Sequence, residues 1–303
     1  MESIGSLWLY VVFFGIVIVM LLVDFLGFKQ KQNQDVSINQ AAYWSVAWVT
    51  VAMLFGGGLW LYLQQTAGVA LANQKAMEYF AGYLLEKSLA IDNVFVWLMI
   101  FAAFAIPPML QRKILLYGVL GAIVLRTIFI FIGAWFVQEF SWVLYIFGAF
   151  LVYTGFKFLK GQDEDTNIED NALLKWLRKH MRITPQLHDN QFFVRQNGLL
   201  WATPLLLVLI LVEASDVIFA VDSIPAIFAV TSDPFIVLTA NLMAILGLRA
   251  MFFLLAGAAT KLHYLPYGLG IILLFIGAKM LLLDVFHMPI WISLGFIVVV
   301  LSI

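Results

Sequence analysis

GLLWATPLLLVLILVEASDVIFAVDSIPAIFAV, residues 198–230, carries three acids, Glu213, Asp216 and Asp222, inside an otherwise apolar run. The run exceeds the roughly 20 residues that an α-helix needs to cross a bilayer. An ionised carboxylate at the centre of such a helix costs about 2.5–3.5 kcal/mol on insertion scales. Three in one span therefore need partners or a function. Pro225 lies in the same run and has no amide proton, so the helix is expected to be interrupted near the carbonyl of Val221.

The rest of the chain has the same solvent. Of its 303 residues, 63% are hydrophobic and 12% charged, and the mean hydropathy is +0.98. A soluble domain has about half apolar and about a quarter charged residues, and a chain of this length cannot bury such an excess in water. A net charge of -1 offers no basic face for nucleic acid. The absence of cysteine excludes disulfides, thiolate metal sites and cysteine nucleophiles. Met1 to Tyr10 contains no Lys or Arg, so the first apolar run reads as a retained span rather than a cleaved signal.

Span-length apolar runs occur at about 7–28, 41–63, 77–106, 114–137, 141–160, 198–230, 234–258 and 265–284, and a ninth starts near Phe286 and is still apolar at Ile303. The last reads as a truncated span. Loops 1, 3, 5 and 7 hold Lys29, Lys31, Arg112, Lys113, Lys160, Lys175, Arg178, Lys179, Arg182, Arg195 and Lys261, against Lys75 alone on the other side. Positive charge stays in the cytoplasm, which places the N-terminus outside and the polar segment 161–197 inside. That segment opens with Asp163, Glu164, Asp165, Glu169 and Asp170, read as a solvated charge run. Leu173, Leu174, Leu177 and Met181 then recur at helical spacing, so residues 171–183 are expected to form a helix on the anionic inner leaflet.

The chain also repeats itself. EKSLAIDN (86–93) pairs with DVIFAVDS (216–223), GVLGAIVLRTIFIF (118–131) with NLMAILGLRAMFFL (241–254), and GFK (155–157) with GAK (277–279). Arg126 thereby faces Arg249 in the alignment. Spans 3–5 start outside and spans 6–8 inside, so the units are inverted, the layout of secondary transporters with a midplane substrate site. The expected architecture is an all-α integral membrane protein of about nine transmembrane helices with an inverted 3+3 repeat. Two N-terminal helices (1–76) precede repeat 1 (77–160), the loop (161–197), repeat 2 (198–284) and the start of helix 9 (285–303).

Five acids lie inside the repeats: Glu86, Asp92, Glu213, Asp216 and Asp222, with Asn93, Ser215 and Ser223 as neutral oxygens. On an unbroken helix Glu86 and Asn93 share a stripe and Asp92 lies about 120° away. Glu86 and Asp92 therefore need either a break or partners from the other repeat. Lys87, Arg126 and Arg249 could neutralise three of the five, leaving two. Oxygen ligands without cysteine suit hard divalent ions such as Mg²⁺, Ca²⁺ or Mn²⁺. His180, His188, His263 and His287 all fall in loops or at span ends. The candidate metal-binding set is Glu86, Asp92, Asn93, Glu213, Asp216, Asp222 and Ser223. Asp24 lies near the cytoplasmic end of span 1, where it either snorkels or lines the path; Lys157 and Lys279 are expected as terminal anchors, and Gly56, Gly57 and Gly58 are expected to allow close helix packing.

Exporting a divalent cation against an inside-negative potential costs about 4.6 kcal/mol per 100 mV, at about 2.3 per charge. No GxxxxGK[ST] motif supplies nucleotide energy, so proton antiport through these carboxylates and Lys87 is expected. No HExxH, GxSxG or intramembrane Ser/His pair points to an enzyme.

VEASDVIFAVDSIPAIFAVTSDPFIVLTAN (212–241) and GYLLEKSLAIDNVFVWLMIF (82–101) resemble the two signature segments of the TerC family, and YGVLGAIVLRT (117–127) resembles its Alx-like branch. The resemblance spans nearly the whole chain. It implies a multi-pass bacterial inner-membrane protein of about nine helices, grouped with cation exporters and, in this branch, with manganese efflux. It also implies that Glu86, Asp92, Glu213, Asp216 and Asp222 are the functional acids. Mn²⁺ is then substrate, not cofactor, with protons as the second ion. Family members usually carry a basic tail after the last helix, which this sequence lacks. Two rival readings come with the resemblance: a tellurium-resistance protein, which the acid-lined core disfavours, and a membrane-biogenesis scaffold without transport activity.

Overall fold

The computed structural model describes residues 3–27, 38–140, 142–160, 172–188, 190–196, 198–256, 265–282 and 289–301. Lys29, Lys31, Lys261, His263, His287 and the acidic opening Asp163–Asp170 lie outside the described residues. The elements in order are α1 (Leu7–Gly27), α2 (Ile38–Thr66), α3 (Val69–Ala103), α4 (Pro108–Glu139), α5 (Val143–Leu159), α6 (Ala172–His180), β1 (Phe193–Gln196), β2 (Leu199–Ala202), α7 (Pro204–Phe228), α8 (Pro234–Leu246), α9 (Leu248–Ala256), α10 (Leu265–Leu281) and α11 (Ile290–Leu301).

Helices α1, α2, α4 and α7 are each long and apolar enough to cross a membrane, and α8 with α9 makes a fifth candidate bent by 42°. α5, α10 and α11 are shorter apolar helices. α3 is 35 residues long but carries Lys75, Glu78, Glu86, Lys87 and Asp92. The outer faces are apolar: Leu7 is 82% exposed, Leu54 69% and Ile218 65%. A hydrophobic outside around a polar centre is stable only in lipid. The protein is an all-α integral membrane protein.

Prolines and glycines set the helix ends. α4, α7 and α8 each begin with proline in the first turn, where the missing amide has no helical partner anyway. Asp233 caps α8 by accepting from Phe235 N at 3.0 Å. Gly68, at φ 89°, makes the turn from α2 into α3, a conformation glycine adopts without steric cost.

Two cores hold the bundle together. The larger joins α1–α4 to α7–α9 and includes Trp97, Leu115 and Phe235; the smaller joins α3, α5, α7, α10 and α11 and includes Leu85, Leu151 and Ile276. α5 and α10 approach closely through glycines. A Cβ on Gly155 would lie 2.8 Å from the Gly270 carbonyl, and one on Gly277 would lie 2.8 Å from the Gly148 carbonyl. Gly155→Leu is therefore expected to separate the two helices and destabilise the protein by about 1–3 kcal/mol or more, as overpacking does. The check is a lowered thermal midpoint in detergent, with Gly15→Leu, which faces open space, unchanged.

Several sequence expectations are corrected. The run 198–230 is not one span: Leu199–Ala202 is a strand paired antiparallel to β1, and the helix starts at Pro204. Asn197-Gly198 between the strands is the signature of a two-residue hairpin. α7 passes through Pro225 unbroken: the proline forfeits the one amide bond to the Val221 carbonyl without ending the helix. The break falls instead in the following span, at Gly247. Leu174 and Leu177 of α6 are buried at 1% and 3%. These two leucines pack into the larger core, while Trp176 of the same helix is 55% exposed. Of the three glycines in α2, only Gly56 is a close contact, against Tyr79 and Phe80; Gly57 and Gly58 face open space.

Candidate functional site

α4 presents small residues to α7. A Cβ on Gly118 would stand 3.2 Å from Val212, one on Gly133 3.0 Å from Phe228, and one on Gly121 would overlap the Glu213 carboxylate. Such faces let helix backbones approach. The approach delivers Arg126, 1% exposed, into the bundle centre.

Arg126 is the hub. Its Nη2 donates to Asp216 Oδ1 at 2.8 Å and its Nε to Asp216 Oδ2 at 3.2 Å, a two-pronged grip. Its Nη1 donates to Glu86 Oε1 and, at 3.4 Å, to Ser223 Oγ. Asn93 Nδ2 donates to Asp216 Oδ1 at 3.4 Å. Glu86, Asn93, Asp216 and Ser223 of the candidate set thus converge from α3 and α7 on one guanidinium of α4. α3 is continuous through them, so Glu86 finds its partner across the bundle rather than through a break.

Asp222 belongs to the same place by a different route. Thr154 Oγ1 of α5 donates to its Oδ1 at 3.3 Å. Asp222 lines a cavity with Glu86, Leu89, Asn93, Arg126, Phe158, Phe219 and Ser223. The cavity measures about 10 Å³ as space open to the centre of a water molecule, near the lower limit for one water. Two buried acceptors among its lining residues, Glu86 Oε2 and Asn93 Oδ1, have no hydrogen-bond partner. Three carboxylates, Glu86, Asp216 and Asp222, stand against one guanidinium.

Two candidates remain. Glu213 sits one turn before Asp216, over Gly121, with a buried Oε2 that has no hydrogen-bond partner. Asp92 lies on α3, but its side chain is outside the description. Among the described residues no three Asp, Glu or His side chains form a group that could hold a metal; in this conformation the guanidinium takes the centre.

Neutralisation follows a different pattern from the one expected. Arg126 serves two of the acids. Arg249 instead binds Asp24 of α1, Nη1 to Oδ2 at 3.2 Å and Nη2 to the carbonyl at 3.1 Å. Asp24 is only 4% exposed, so it is paired inside the protein and does not snorkel. Lys87 donates to the Ala244 carbonyl at 3.1 Å. Lys279 donates to Ser293 Oγ at 3.1 Å rather than anchoring in headgroups, while Lys157 is exposed.

Three features escaped sequence reasoning. Thr154 is the one aliphatic hydroxyl in an apolar helix and carries no pattern. Gly121 stands five residues before Arg126 on a helix face rich in small residues, a signal visible only once the partner helix is known. The third is a buried polar cluster: Lys75 with Glu78 at 2.8 Å and Asp233 at 3.4 Å, Thr231 Oγ1 on Glu78 at 2.6 Å, and Ser3 Oγ on Asp233 at 2.8 Å. Lys75, expected in a loop, lies inside α3; its i, i+3 spacing to Glu78 was the available hint.

Comparison with known proteins adds the following. Residues 71–303 match the family described as integral membrane protein TerC family. The chain is 58% identical over 303 residues to Alx of Photorhabdus laumondii, covering 100% of this chain and 95% of that protein. It is 57% identical over 295 residues to Alx of Escherichia coli strain K12, covering 97% and 92%. Both relatives are provisionally named membrane-bound redox modulators. An uncharacterized membrane protein of Myxococcus xanthus is 45% identical over 295 residues, covering 97% and 90%. No solved structure matches the chain.

Proposed function

The chain belongs to the TerC family of integral membrane proteins, and we propose that it is a secondary transporter that exports divalent metal cations, Mn²⁺ foremost, from the cytoplasm in exchange for protons. The observation that carries this reading is the excess of acceptors around the central cavity. Inside the bundle Glu86, Asp216 and Asp222 outnumber Arg126 by two negative charges when ionised, the exposed Lys157 being the further cation near Asp222, and Glu86 Oε2 and Asn93 Oδ1 have no donor. A dehydrated divalent cation supplies both missing charges and seeks oxygen ligands of this kind. An oxyanion would meet the opposite field.

In this reading Arg126 is the built-in counter-ion of the empty carrier. It holds Glu86 and Asp216 while no metal is bound and yields them when the ion arrives. Glu86, Asn93, Asp216, Asp222 and Ser223 take the ion. Glu213 and Asp92, placed along the same two helices, complete the acidic path and carry protons or metal.

The architecture proposed is nine spans with an inverted repeat of α3–α5 on α7–α10. The α5–α10 contact supports it. The repeat offset of 122 carries Gly148 to Gly270 and Gly155 to Gly277. The contacts Gly148–Gly277 and Gly155–Gly270 then exchange with one another, as a two-fold axis in the membrane plane requires. Charge asymmetry in the loops puts the N-terminus outside and the α6–β1–β2 segment in the cytoplasm of a bacterial inner membrane. The redox description of the relatives finds no thiol here: the chain has no cysteine, so disulfide exchange is not its chemistry.

The test is Mn²⁺ flux in proteoliposomes with and without an imposed pH gradient. Flux that follows the gradient supports the proposal. A folded protein that moves neither Mn²⁺, Fe²⁺ nor Ca²⁺ sinks it and leaves the scaffold reading.

A further inference from the structure

The two repeats differ in one helix, and the difference has a residue at its centre. Aligned at an offset of 123, Gly247 falls on Val124 and Arg249 on Arg126. α4 runs straight through Val124 as one helix from Pro108 to Glu139. Its counterpart is split into α8 and α9 and bent by 42° at Gly247, whose φ of -94° and ψ of 2° leave the helical region. The straight helix puts Arg126 on Glu86 and Asp216; the bent one puts Arg249 on Asp24.

Lys87 sits at the bend. Its Nζ donates to the carbonyl of Ala244 at 3.1 Å, whose partner in a continuous helix would be the amide of Leu248, the first residue past the break. A Cβ on Gly247 would lie 2.9 Å from that same Nζ and 3.2 Å from Trp48 Cβ of α2. The ammonium makes no ion pair with a carboxylate among the described residues. It follows Glu86 directly in sequence, so α3 reaches the central site with one side chain and the bend with the next. The repeat has no second copy of it: at an offset of 130 the matching residue is Val217.

We propose that Lys87 is a latch on the bend between α8 and α9, holding the carbonyl that straightening would return to the helix ladder. Released, α8 and α9 align as α4 does and Arg249 leaves Asp24. This rests on the inverted-repeat transporter reading, in which the two repeats exchange conformations; the latch itself is read from distance, not from transport. Swinging the nine residues of α9 through 42° moves its far end by about 10 Å, at about 1.5 Å rise per residue.

The native chain has no cysteine, so spin labels go only where thiols are introduced. Tyr43→Cys on α2 and Ala256→Cys at the end of α9 are both exposed positions, and Tyr43→Cys with Leu61→Cys, both on α2, is the rigid control. Double electron–electron resonance in nanodiscs is expected to give one main distance in the parent. Lys87→Met and, independently, Gly247→Ala, which pushes the amine away and favours helical backbone, should each populate a distance shifted by several ångströms. Lys87→Arg should keep the parent distance. Unchanged distances in both Lys87→Met and Gly247→Ala overturn the latch, and Gly247→Ala decides alone if Lys87→Met does not fold. Mn²⁺ flux by the parent is scored separately. A shift without any flux leaves the latch and removes the transporter; flux with an unmoved distance does the reverse.

Discussion

Asp222→Asn is expected to abolish Mn²⁺ flux while leaving the protein folded. Asp222 is the carboxylate of the central cavity that is not gripped by Arg126; it accepts from Thr154 Oγ1 at 3.3 Å. An amide keeps the shape and still accepts from Thr154, so the bundle loses no ion pair. What disappears is one charge facing the cavity. At about 4 Å and an effective dielectric of about 20, a unit charge pair is worth about 4 kcal/mol, and a divalent ion feels about twice that. Flux should fall by roughly a hundredfold or more, since about 1.4 kcal/mol is a factor of ten. The measurement is initial Mn²⁺ flux in proteoliposomes at matched protein content, with the thermal midpoint as the folding control. Flux within a few-fold of wild type at an unchanged midpoint would remove Asp222 from the site.

Arg126→Met should do the opposite: it should cost the fold before it costs transport. The guanidinium is 1% exposed and bonds Glu86 and Asp216, themselves 1% and 2% exposed. Removing one member of a buried ion pair costs about 3–5 kcal/mol, because the remaining charges have no solvent to return to. That is a large share of the stability of an ordinary domain, about 5–15 kcal/mol. Lysine restores the charge but not the two-pronged geometry, so Arg126→Lys should fall between wild type and Arg126→Met. Adding Glu86→Gln and Asp216→Asn to Arg126→Met removes the uncompensated charges and should recover the midpoint, since apolar or neutral replacement of a whole buried network is often tolerated. Monodispersity and thermal midpoint in detergent read all four proteins. A triple variant no more stable than Arg126→Met would show that the arginine works by packing rather than by charge.

The comparison of expectation with structure separates local from non-local physics. Apolar run length, which needs about 20 residues and nothing else, placed the helices to within a few residues for α1, α2 and α5, and began α4 six residues late. It failed at 198–230, where the hairpin strand β2 is as apolar as a helix end and Gly198, at φ 77°, precedes the strand. It failed again at Pro225 against Gly247. A proline costs one bond, to the carbonyl four residues before it, and α7 continues through the buried Pro225 despite that loss. The residues that surround the bend at Gly247 are Lys87 of α3 and Trp48 of α2, which no window of sequence contains.

The candidate site divides in the same way. That acids in an apolar chain must be paired, coordinated or functional follows from the cost of burying charge, and so Glu86, Asp92, Asn93, Glu213, Asp216, Asp222 and Ser223 could be singled out from composition and repeat alone. Their partners could not. Arg126 and Arg249 are equivalent in the repeat, yet one binds Glu86 and Asp216 and the other Asp24 of a helix outside the repeat. The choice is made by a straight helix and a bent one. By itself the sequence determined the solvent, the helices and the charges that must be answered, because those are properties of each segment in lipid. Which charge answers which was decided by the tertiary structure, because ion pairs form between residues 40 and 90 positions apart that only packing brings within 3 Å.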